Sequence, residues 1–353
     1  MNEVAYTAPP TGANLGPGFD VLGVAYSHIK GDKVIAKKTT EFKGVRLVEV
    51  KGRYGHLLSG ENLVVGVGNK VLEAANADFG VEVILEKNMR LGTGMGSSAS
   101  SSVSSAMSVN DLLDNPFQRD HPKILEAVVY GEQLATGSRH ADNVFPSLLG
   151  GFVFISDLNN YSFSRFDGTN NFYFVVASPT NVRVDTMEAR RLLNDKEKVP
   201  YDLGAMVRIS ADVMKQRISQ NSRTNFPQSY SRLVLKEGSE EYVDDYLKGA
   251  IFLIEGIMSD KPTWFGRGTE LDKIIAPVRA KLIPGYTDVQ EAAYVAGAEG
   301  FSISGSGPTV FAVTNSIEKA HDISLKMEKA FKRHGVQTEV YISQPDNIGA
   351  QRI

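Results

Sequence analysis

The sequence predicts an α+β protein built as two domains. Its 353 residues are long for one hydrophobic core, so two domains are the default expectation. A Gly/Ser-rich loop at residues 91–103, LGTGMGSSASSSV, separates a strand-like segment from a helical pattern in the first part. From residue 300 onward the pattern is strand, glycine turn, strand, helix and strand, which favours an antiparallel sheet with helices on one face.

Hydrophobic periodicity and helix-end residues predict the elements of the first part. Val34–Lys38 and Val81–Glu86 are predicted strands, and one helix is predicted to begin near Ser97. A second helix is predicted over Pro122–Gly137, because proline is common in the first turn of a helix and glycine just after its end. The apolar GGFVFIS that begins at Gly150 is typical of a buried strand.

A polar segment, DGTNN, is the predicted domain boundary and divides the chain into 1–168 and 169–353. The nearly continuous apolar run Phe172–Pro179 then predicts a strand. Asp185 and Glu188 stand at capping-box spacing before the helical EARRLL. A helix-rich polar stretch follows.

The remaining elements are predicted from residue 300 to the end of the chain. GFSISGSGPTVFAVTN is typical of two strands joined by a tight turn. Ser316 is expected to cap an amphipathic helix that Gly335 ends, and the alternating VQTEVYIS predicts the last strand.

Composition excludes several functional classes. The net charge of −3 leaves no basic surface of the kind that binds nucleic acid or anionic lipid. The absence of cysteine excludes disulfides, thiolate zinc sites and cysteine nucleophiles. The first residues lack a signal-peptide pattern, and no apolar run approaches the ~20 residues that span a bilayer. A cytoplasmic protein without membrane or nucleic-acid partners is expected.

The Gly/Ser-rich loop is the first candidate for ligand binding. Small side chains leave backbone N–H groups open at a helix N-terminus, where an anion is favoured. A flexible linker is the first alternative. The dinucleotide fingerprint GxGxxA also fits, although about seven residues separate it from the strand, and the lysine of a Walker loop is missing. A phosphate-bearing ligand is therefore the leading hypothesis.

Glu132 is the most informative single side chain. On its predicted helix it shares one face with Ile124, Val128 and Ala135, so its carboxylate is expected on the apolar side. A buried carboxylate is unfavourable unless it is paired or hydrogen-bonded. Two interpretations remain: a salt bridge to an arginine or lysine, or a Mg²⁺ ligand facing the phosphate loop.

Polar side chains at two turns are further candidates. Asn14 and Asp20 either stabilise a turn, or Asp20 is a counter-ion for an amino group. Asp142 and Asn143 either form an Asx turn or face a substrate hydroxyl. His140 lacks metal-ligand spacing to the other histidines and is interpreted as structural.

Two arginines and a second turn complete the candidates. Arg190 and Arg279 are either surface arginines or a grip for a substrate carboxylate. The turn at residues 304–308, SGSGP, is either a plain hairpin or a place where backbone approaches a ligand.

Four segments, in this order, resemble the signatures of the GHMP kinase superfamily and, within it, the homoserine kinase family. They are APPTGANLGPGFDVLG at 8–23, GTGMGSSAS at 92–100, HADNVFPSLLGG at 140–151 and SISGSGPTVFA at 302–312. The resemblance covers nearly the whole chain. It implies an N-terminal α/β domain with a left-handed βαβ crossover, against the usual handedness, and a ferredoxin-like C-terminal α+β sandwich.

The resemblance also implies ATP-dependent phosphorylation of the homoserine hydroxyl, with Mg²⁺ as cofactor and a homodimer as the expected assembly. It assigns Asn62 to adenine, and Ser98 with Glu132 to Mg²⁺. The ATP phosphates would be wrapped by Gly92, Gly94, Met95, Gly96, Ser97 and Ser98. The amino and hydroxyl ends of homoserine would be bound by Asn14, Asp20 and Asp142, its carboxylate by Thr186, Arg190 and Arg279, and the reacting hydroxyl would neighbour Asn143.

The sequence departs from the family pattern at three places, and none removes a polar group that the chemistry needs. Met95 replaces the usual leucine, Ala141 stands where proline is common, and the proline before the phosphate loop is missing. Arg90, beside the loop, has no assigned role.

The mechanism and three alternatives stay open at this point. Phosphoryl transfer depends mainly on positioning and charge stabilisation, so Asp142 is expected to orient the substrate, whereas a rival interpretation makes it the base. A mevalonate-pathway kinase would need a differently placed basic cluster from Arg190 and Arg279. A non-catalytic sugar-sensing relative would have a damaged phosphate loop or lack a Mg²⁺ ligand. A NAD-binding oxidoreductase would bind nicotinamide and consume no ATP.

Overall fold

A computed structural model describes residues 2–58, 62–193, 203–220 and 240–353. The strands in this part of the chain are β1 Glu3–Thr7, β2 Thr11–Ala13, β3 Leu22–Ala25, β4 Lys33–Thr39, β5 Gly44–Lys51, β6 Gly80–Glu86, β7 Phe152–Asp157, β8 Ser162–Phe166, β9 Tyr173–Pro179, β10 Gly300–Ile303, β11 Val310–Thr314, β12 Thr338–Ser343 and β13 Gln351–Arg352. The α-helices are α1 Leu63–Ala74, α2 Ser97–Leu112, α3 Pro122–Thr136, α4 Val144–Leu149, α5 Thr186–Leu193, α6 Leu203–Gln220, α7 Glu240–Met258, α8 Pro262–Glu270, α9 Ala276–Ala280, α10 Tyr286–Val295 and α11 Ile317–Arg333.

Helix ends lie where the capping residues predict them. Pro122 occupies the first turn of α3, and Gly137 ends that helix with a φ of 77°. The Asp185 carboxylate accepts hydrogen bonds from the first N–H groups of α5, and the Ser316 hydroxyl caps α11. Each cap satisfies N–H groups that have no partner within their own helix. The strands and helices predicted above within the described ranges are confirmed, with small shifts at their ends, whereas the predicted helix-rich stretch lies partly outside those ranges.

A five-stranded sheet in the order β13-β1-β4-β6-β5 forms the base of the N-terminal part. Its β5 and β6 are parallel and are joined through α1, so the expected βαβ unit is present. The handedness of this unit remains a prediction. Helices α1, α2 and α3 share one apolar core with this sheet, and that core includes Val83, Val103 and Val128. The packing places the N-terminus of α2 beside the C-terminal half of α3, where Ser98 contacts Glu132.

A second sheet, in the order β2-β3-β7-β8, connects the two halves of the molecule. Its Phe152 lies on β7, with the ring centroid 5.3 Å from that of Phe172 and 5.8 Å from that of Phe265. These rings belong to one apolar core shared with β9, α7 and α8. The end of β2 also meets the C-terminal part, where the Gly305 N–H donates to the Ala13 carbonyl at 3.0 Å.

The C-terminal sheet is antiparallel in the order β10-β11-β9-β12. With β9 as the first strand, this is the ferredoxin-like order, so that expectation is confirmed. Helices cover both faces rather than the one face expected. Val175 and Ala177 pack against Phe331 of α11, whereas Phe174 and Val176 pack against residues of α7 and α8 such as Leu253. Burial on both faces explains why β9 is almost continuously apolar.

The end of the chain returns to the first sheet, where β13 pairs with β1. The proposed boundary between 1–168 and 169–353 falls in the connection between β8 and β9 and remains a proposal. No helix in the described ranges is both long and apolar enough to cross a membrane.

Candidate active site

The Gly/Ser-rich loop turns directly into α2, as expected. Gly92, Gly94 and Gly96 have φ values of 67°, 81° and 66°, which glycine adopts with little strain. A Cβ at Gly94 would overlap the carbonyl oxygen of Ser304, and one at Gly96 would overlap the Thr11 hydroxyl. No side chain caps α2, and Gly96, Ser97 and Ser98 at its start line the cavity described below, so its first N–H groups can bind an anion there.

A buried ion pair between Lys87 and Asp32 stabilises this loop. The sequence analysis did not predict it. Lys87 contacts the Asp32 carboxylate and donates to the Ser97 carbonyl at 3.1 Å and the Ser101 hydroxyl at 2.8 Å. Asp32 in turn accepts from the backbone N–H of Met89 at 2.9 Å. The pair therefore fixes the start of α2 against the segment that enters the loop.

The serines of α2 could have indicated buried polar partners, but the sequence analysis did not use them. Ser100, Ser104 and Ser108 recur every four residues and hydrogen-bond to backbone carbonyls of Ala8, Asp32 and Val34 respectively. A polar helix face that is fully buried requires polar partners. Ser101, buried on the same helix, donates to the Asp32 carboxylate at 2.6 Å, so the buried serines were a sign of polar partners such as Asp32.

Glu132 lies on the buried face of α3, as the spacing predicts, and its side chain faces the loop. The Ser98 hydroxyl donates to its two carboxylate oxygens at 3.0 and 3.2 Å, and burial raises the pKa of Glu132 to about 7. No arginine or lysine in the described ranges pairs with Glu132, so these residues give the salt-bridge interpretation no support.

The oxygen atoms of Ser98 and Glu132 are suited to binding a hard cation. A carboxylate and a hydroxyl, both oxygen donors, lie beside the anion-binding end of α2, and Mg²⁺ completes such sites with water and phosphate oxygens. The described residues contain no cluster of three or more acidic or histidine side chains suited to a metal. A cation here would therefore depend on a bound phosphate.

One cavity of about 360 Å³ brings most of the predicted site residues together. Its lining includes these predicted residues: Asn14, Asp20, Gly92, Gly94, Gly96, Ser97, Ser98, Glu132, Asp142, Asn143, Thr186, Arg190 and Arg279. Met95 is buried in the core beneath the loop and is outside this lining. Arg90 is also outside it.

Asn62 lines a neighbouring cavity of about 710 Å³, which shares Leu63, Leu91 and Ala135 with the first. The Asn62 side chain accepts a hydrogen bond from the Val64 N–H at 3.1 Å and caps α1. The two cavities adjoin, as a base and its phosphates would require.

The far end of the cavity is strongly charged. The Arg190 guanidinium donates to both carboxylate oxygens of Asp20, at 2.7 and 2.8 Å. Arg279 is buried and donates to the Gly305 carbonyl at 2.7 Å, while its Nε has no hydrogen-bond partner among the described residues. Both guanidinium groups lie within 5.5 Å of the Phe19 ring centroid. An orphaned buried donor beside a paired arginine fits a carboxylate ligand.

Two side chains that were predicted to bind substrate already make hydrogen bonds within the protein. The Asn14 amide donates to the Gly305 carbonyl at 2.9 Å and accepts from the Asp20 N–H at 3.1 Å. The Asn143 side-chain oxygen accepts from the Thr11 hydroxyl at 2.8 Å. Both amides therefore position the turns around the cavity, and their contact with substrate remains a prediction.

Asp142 lies between the two ends of the cavity and is 4% exposed. Burial raises the pKa of Asp142 to about 8, and the negative charges of Asp20 and Glu132 add to that effect. The positive charges of Arg190 and Arg279 oppose it. A cationic group or metal entering the cavity would favour the ionised carboxylate.

Two further lining residues, His140 and Arg183, were given no role in binding by the sequence analysis. His140, interpreted as structural, has its Nδ1 3.7 Å from an Asp20 carboxylate oxygen, and burial lowers the pKa of His140, so it is neutral at pH 7. Arg183 lies against Gly92 of the phosphate loop. The sequence alone could not place either side chain in the cavity, because the residues that His140 and Arg183 contact are distant along the chain.

Comparison with known proteins agrees with this geometry. Residues 62–151 match the family model of the GHMP kinases N terminal domain, and residues 253–333 match that of the GHMP kinases C terminal. The homoserine kinase of Pyrococcus abyssi is 33% identical over 339 residues, covering 96% of this chain and 95% of that protein. The homoserine kinase of Chlorobium phaeobacteroides is 32% identical, with both chains covered completely.

A solved structure is similar over the same length. The crystal structure of homoserine kinase from Cytophaga hutchinsonii superposes with a TM-score of 0.81 at 31% identity, covering 100% of this chain and 98% of that one. The fold and the phosphate loop thus define a GHMP kinase. Within that class, the chain belongs to the homoserine kinase family.

Proposed function

We propose that this protein transfers the terminal phosphoryl group of ATP to the hydroxyl of L-homoserine, forming O-phospho-L-homoserine for threonine biosynthesis. One observation carries the proposal: a single cavity holds a phosphate loop with the Ser98–Glu132 pair at one end and Asp20, Arg190 and Arg279 at the other. Such a cavity suits a triphosphate next to a small zwitterion. Membership of the homoserine kinase family supports the same substrate.

The nucleotide would lie across the two adjoining cavities. Its base would occupy the cavity lined by Asn62, and its phosphates would face the N–H groups at the start of α2. Ser98 and Glu132 would hold Mg²⁺, which neutralises phosphate charge when bound. The buried pair of Lys87 and Asp32 keeps the loop in place before the nucleotide arrives.

Homoserine would be held at both of its charged ends. Its ammonium group would pair with Asp20, and its carboxylate with Arg190, Arg279 and Thr186. The hydroxyl would then lie near Asp142 and Asn143, on the side of the cavity that leads to the phosphate loop. Fixing both ends aligns the oxygen for attack on the phosphoryl group.

Transfer through a loose transition state depends mainly on alignment and charge. Ionised Asp142 orients the hydroxyl by accepting its hydrogen bond. Its raised pKa also makes it a stronger proton acceptor than a solvated carboxylate, and the proton otherwise goes to a phosphate oxygen of the product.

The alternatives have less support from the structure. A mevalonate-type substrate has no ammonium group to pair with Asp20. A non-catalytic relative would have lost part of the phosphate site, whereas Ser98 and Glu132 are both present and in contact. No feature described at this loop favours the binding of a nicotinamide cofactor over that of a nucleoside triphosphate. A homodimer and a cytoplasmic location stay proposals from the sequence.

The proposal is tested by ADP release from purified protein offered homoserine, threonine, serine or mevalonate. Homoserine is expected to give the highest kcat/KM, and mass spectrometry should find one added phosphoryl group on it. Turnover of mevalonate but not of homoserine would overturn the substrate assignment.

A further inference from the structure

Arg183 is a cation in contact with the phosphate loop that comes from the C-terminal half of the chain. It lies in the connection between β9 and α5, and its side chain is exposed toward the cavity that holds the loop. A Cβ built on Gly92 would be 3.1 Å from its Nε and 3.4 Å from its Cγ. The guanidinium stem therefore packs on a loop position that has no side chain.

The other two arginines of the cavity are already engaged. Arg190 is paired with Asp20, and Arg279 donates to the Gly305 carbonyl. Arg183 forms no hydrogen bond or ion pair within the described ranges. It is therefore available to a ligand that arrives with its own negative charge.

The phosphate loop itself supplies no cation. Residues 91–98, LGTGMGSS, contain neither lysine nor arginine, whereas a Walker loop places a lysine at the terminal phosphates. Glu132 and Asp142, the acidic residues that line this part of the cavity, supply no positive charge either. A positive side chain beside a triphosphate here must come from another segment, and Arg183 is the lining arginine that contacts the loop.

We propose that Arg183 binds the terminal phosphates of the nucleotide across the cavity, opposite the N-terminus of α2. Guanidinium binds phosphate oxygens through charge-assisted, often bidentate hydrogen bonds. Arg183 lies just before α5, and Thr186 and Arg190 of α5 line the same cavity, so one segment would present the phosphate ligand and two homoserine ligands. This inference rests on the proposed function and adds a nucleotide-binding residue to it.

The test is a series of binding measurements that need no turnover. Calorimetry with AMP, ADP and the ATP analogue AMP-PNP, each with Mg²⁺, measures how much each added phosphate contributes. In Arg183→Gln, the affinity for AMP-PNP is expected to fall about tenfold or more, with AMP binding unchanged, because one charged hydrogen bond to phosphate is lost. Arg183→Lys should restore part of the affinity.

Arg191→Gln is the matched control, since Arg191 is exposed on α5 and does not line the cavity. It should bind all three nucleotides as the unmodified protein does. Equal melting temperatures will show that both variants fold. If Arg183→Gln keeps the full preference for AMP-PNP over AMP, the role of Arg183 is refuted while the proposed function stands. If the unmodified protein binds none of these nucleotides, the proposed function itself fails.

Discussion

The Nη2 atom of Arg190 lies 2.7 and 2.8 Å from the two carboxylate oxygens of Asp20, two residues expected to hold opposite ends of the substrate. Without a ligand, the two side chains neutralise each other. A zwitterion can replace both partners at once, whereas a singly charged ligand leaves one of them unpaired. The pair therefore favours substrates that carry an ammonium group and a carboxylate together.

Removing either charge of this pair is expected to weaken substrate binding. Asp20→Asn and Arg190→Gln should each raise the KM for homoserine by about 30-fold or more, because each loses a charge-assisted hydrogen bond to substrate. The KM for ATP should change little. The double variant should lose less than the product of the two single losses, since the residues contact each other. If the two single increases in KM simply multiply in the double variant, Asp20 and Arg190 do not act together on the substrate.

Glu132 is expected to be essential through its charge. Glu132→Gln retains an oxygen that can accept from Ser98 but cannot supply a negative ligand to a cation. The kcat should fall by about 10³ or more if several kcal/mol of charge stabilisation is lost. Glu126→Gln, at an exposed position on the same helix, is the matched control and should keep full activity. A Glu132→Gln variant with nearly normal kcat would refute the assignment.

The pH dependence of kcat/KM for homoserine should report the ionisation of Asp142. Its pKa in the free protein is raised to about 8 by burial and by Asp20 and Glu132, and the ionised form is the one that accepts the hydroxyl hydrogen bond. The value of kcat/KM should therefore fall as the pH is lowered through the pKa of Asp142, approaching a tenfold fall per pH unit on the acidic side.

Asp142→Asn separates the roles of that carboxylate. Loss of the acidic limb with a raised KM and a modest fall in kcat indicates orientation of substrate. Loss of the limb with a large fall in kcat indicates proton acceptance. An unchanged acidic limb would show that a different group is responsible.

Gly94 is expected to tolerate no side chain. Gly94 and Gly137 have similar φ values of 81° and 77°, but a Cβ at Gly94 would overlap the Ser304 carbonyl, whereas nothing lies within 4 Å of one at Gly137. Gly137→Ala should cost about 1 kcal/mol from backbone strain alone. Gly94→Ala should lower the free energy of unfolding by clearly more, and should weaken nucleotide binding. Chemical denaturation of both variants checks this, and equal losses would contradict it.

Local patterns in the sequence predicted part of the secondary structure and the position of the Gly/Ser-rich loop at the start of α2. The boundaries of α3 followed from Pro122 and Gly137, and the start of α2 followed from the glycines at 92, 94 and 96. Capping hydrogen bonds and allowed φ values involve neighbouring residues, so they are readable from short segments. The same reasoning placed Glu132 on the buried face of its helix, because helical periodicity decides which residues share a face.

Tertiary structure alone decided which partner each buried charge has. Glu132 meets the Ser98 hydroxyl rather than an arginine, Asp20 meets Arg190 from 170 positions away, and Lys87 meets Asp32. It also decided that helices cover both faces of the C-terminal sheet, and that Arg183 and His140 line the cavity. Each of these contacts joins segments that are distant along the chain. A side chain's own sequence neighbourhood sets its preference for burial or charge, but only the folded path of the backbone brings a specific partner within hydrogen-bonding distance.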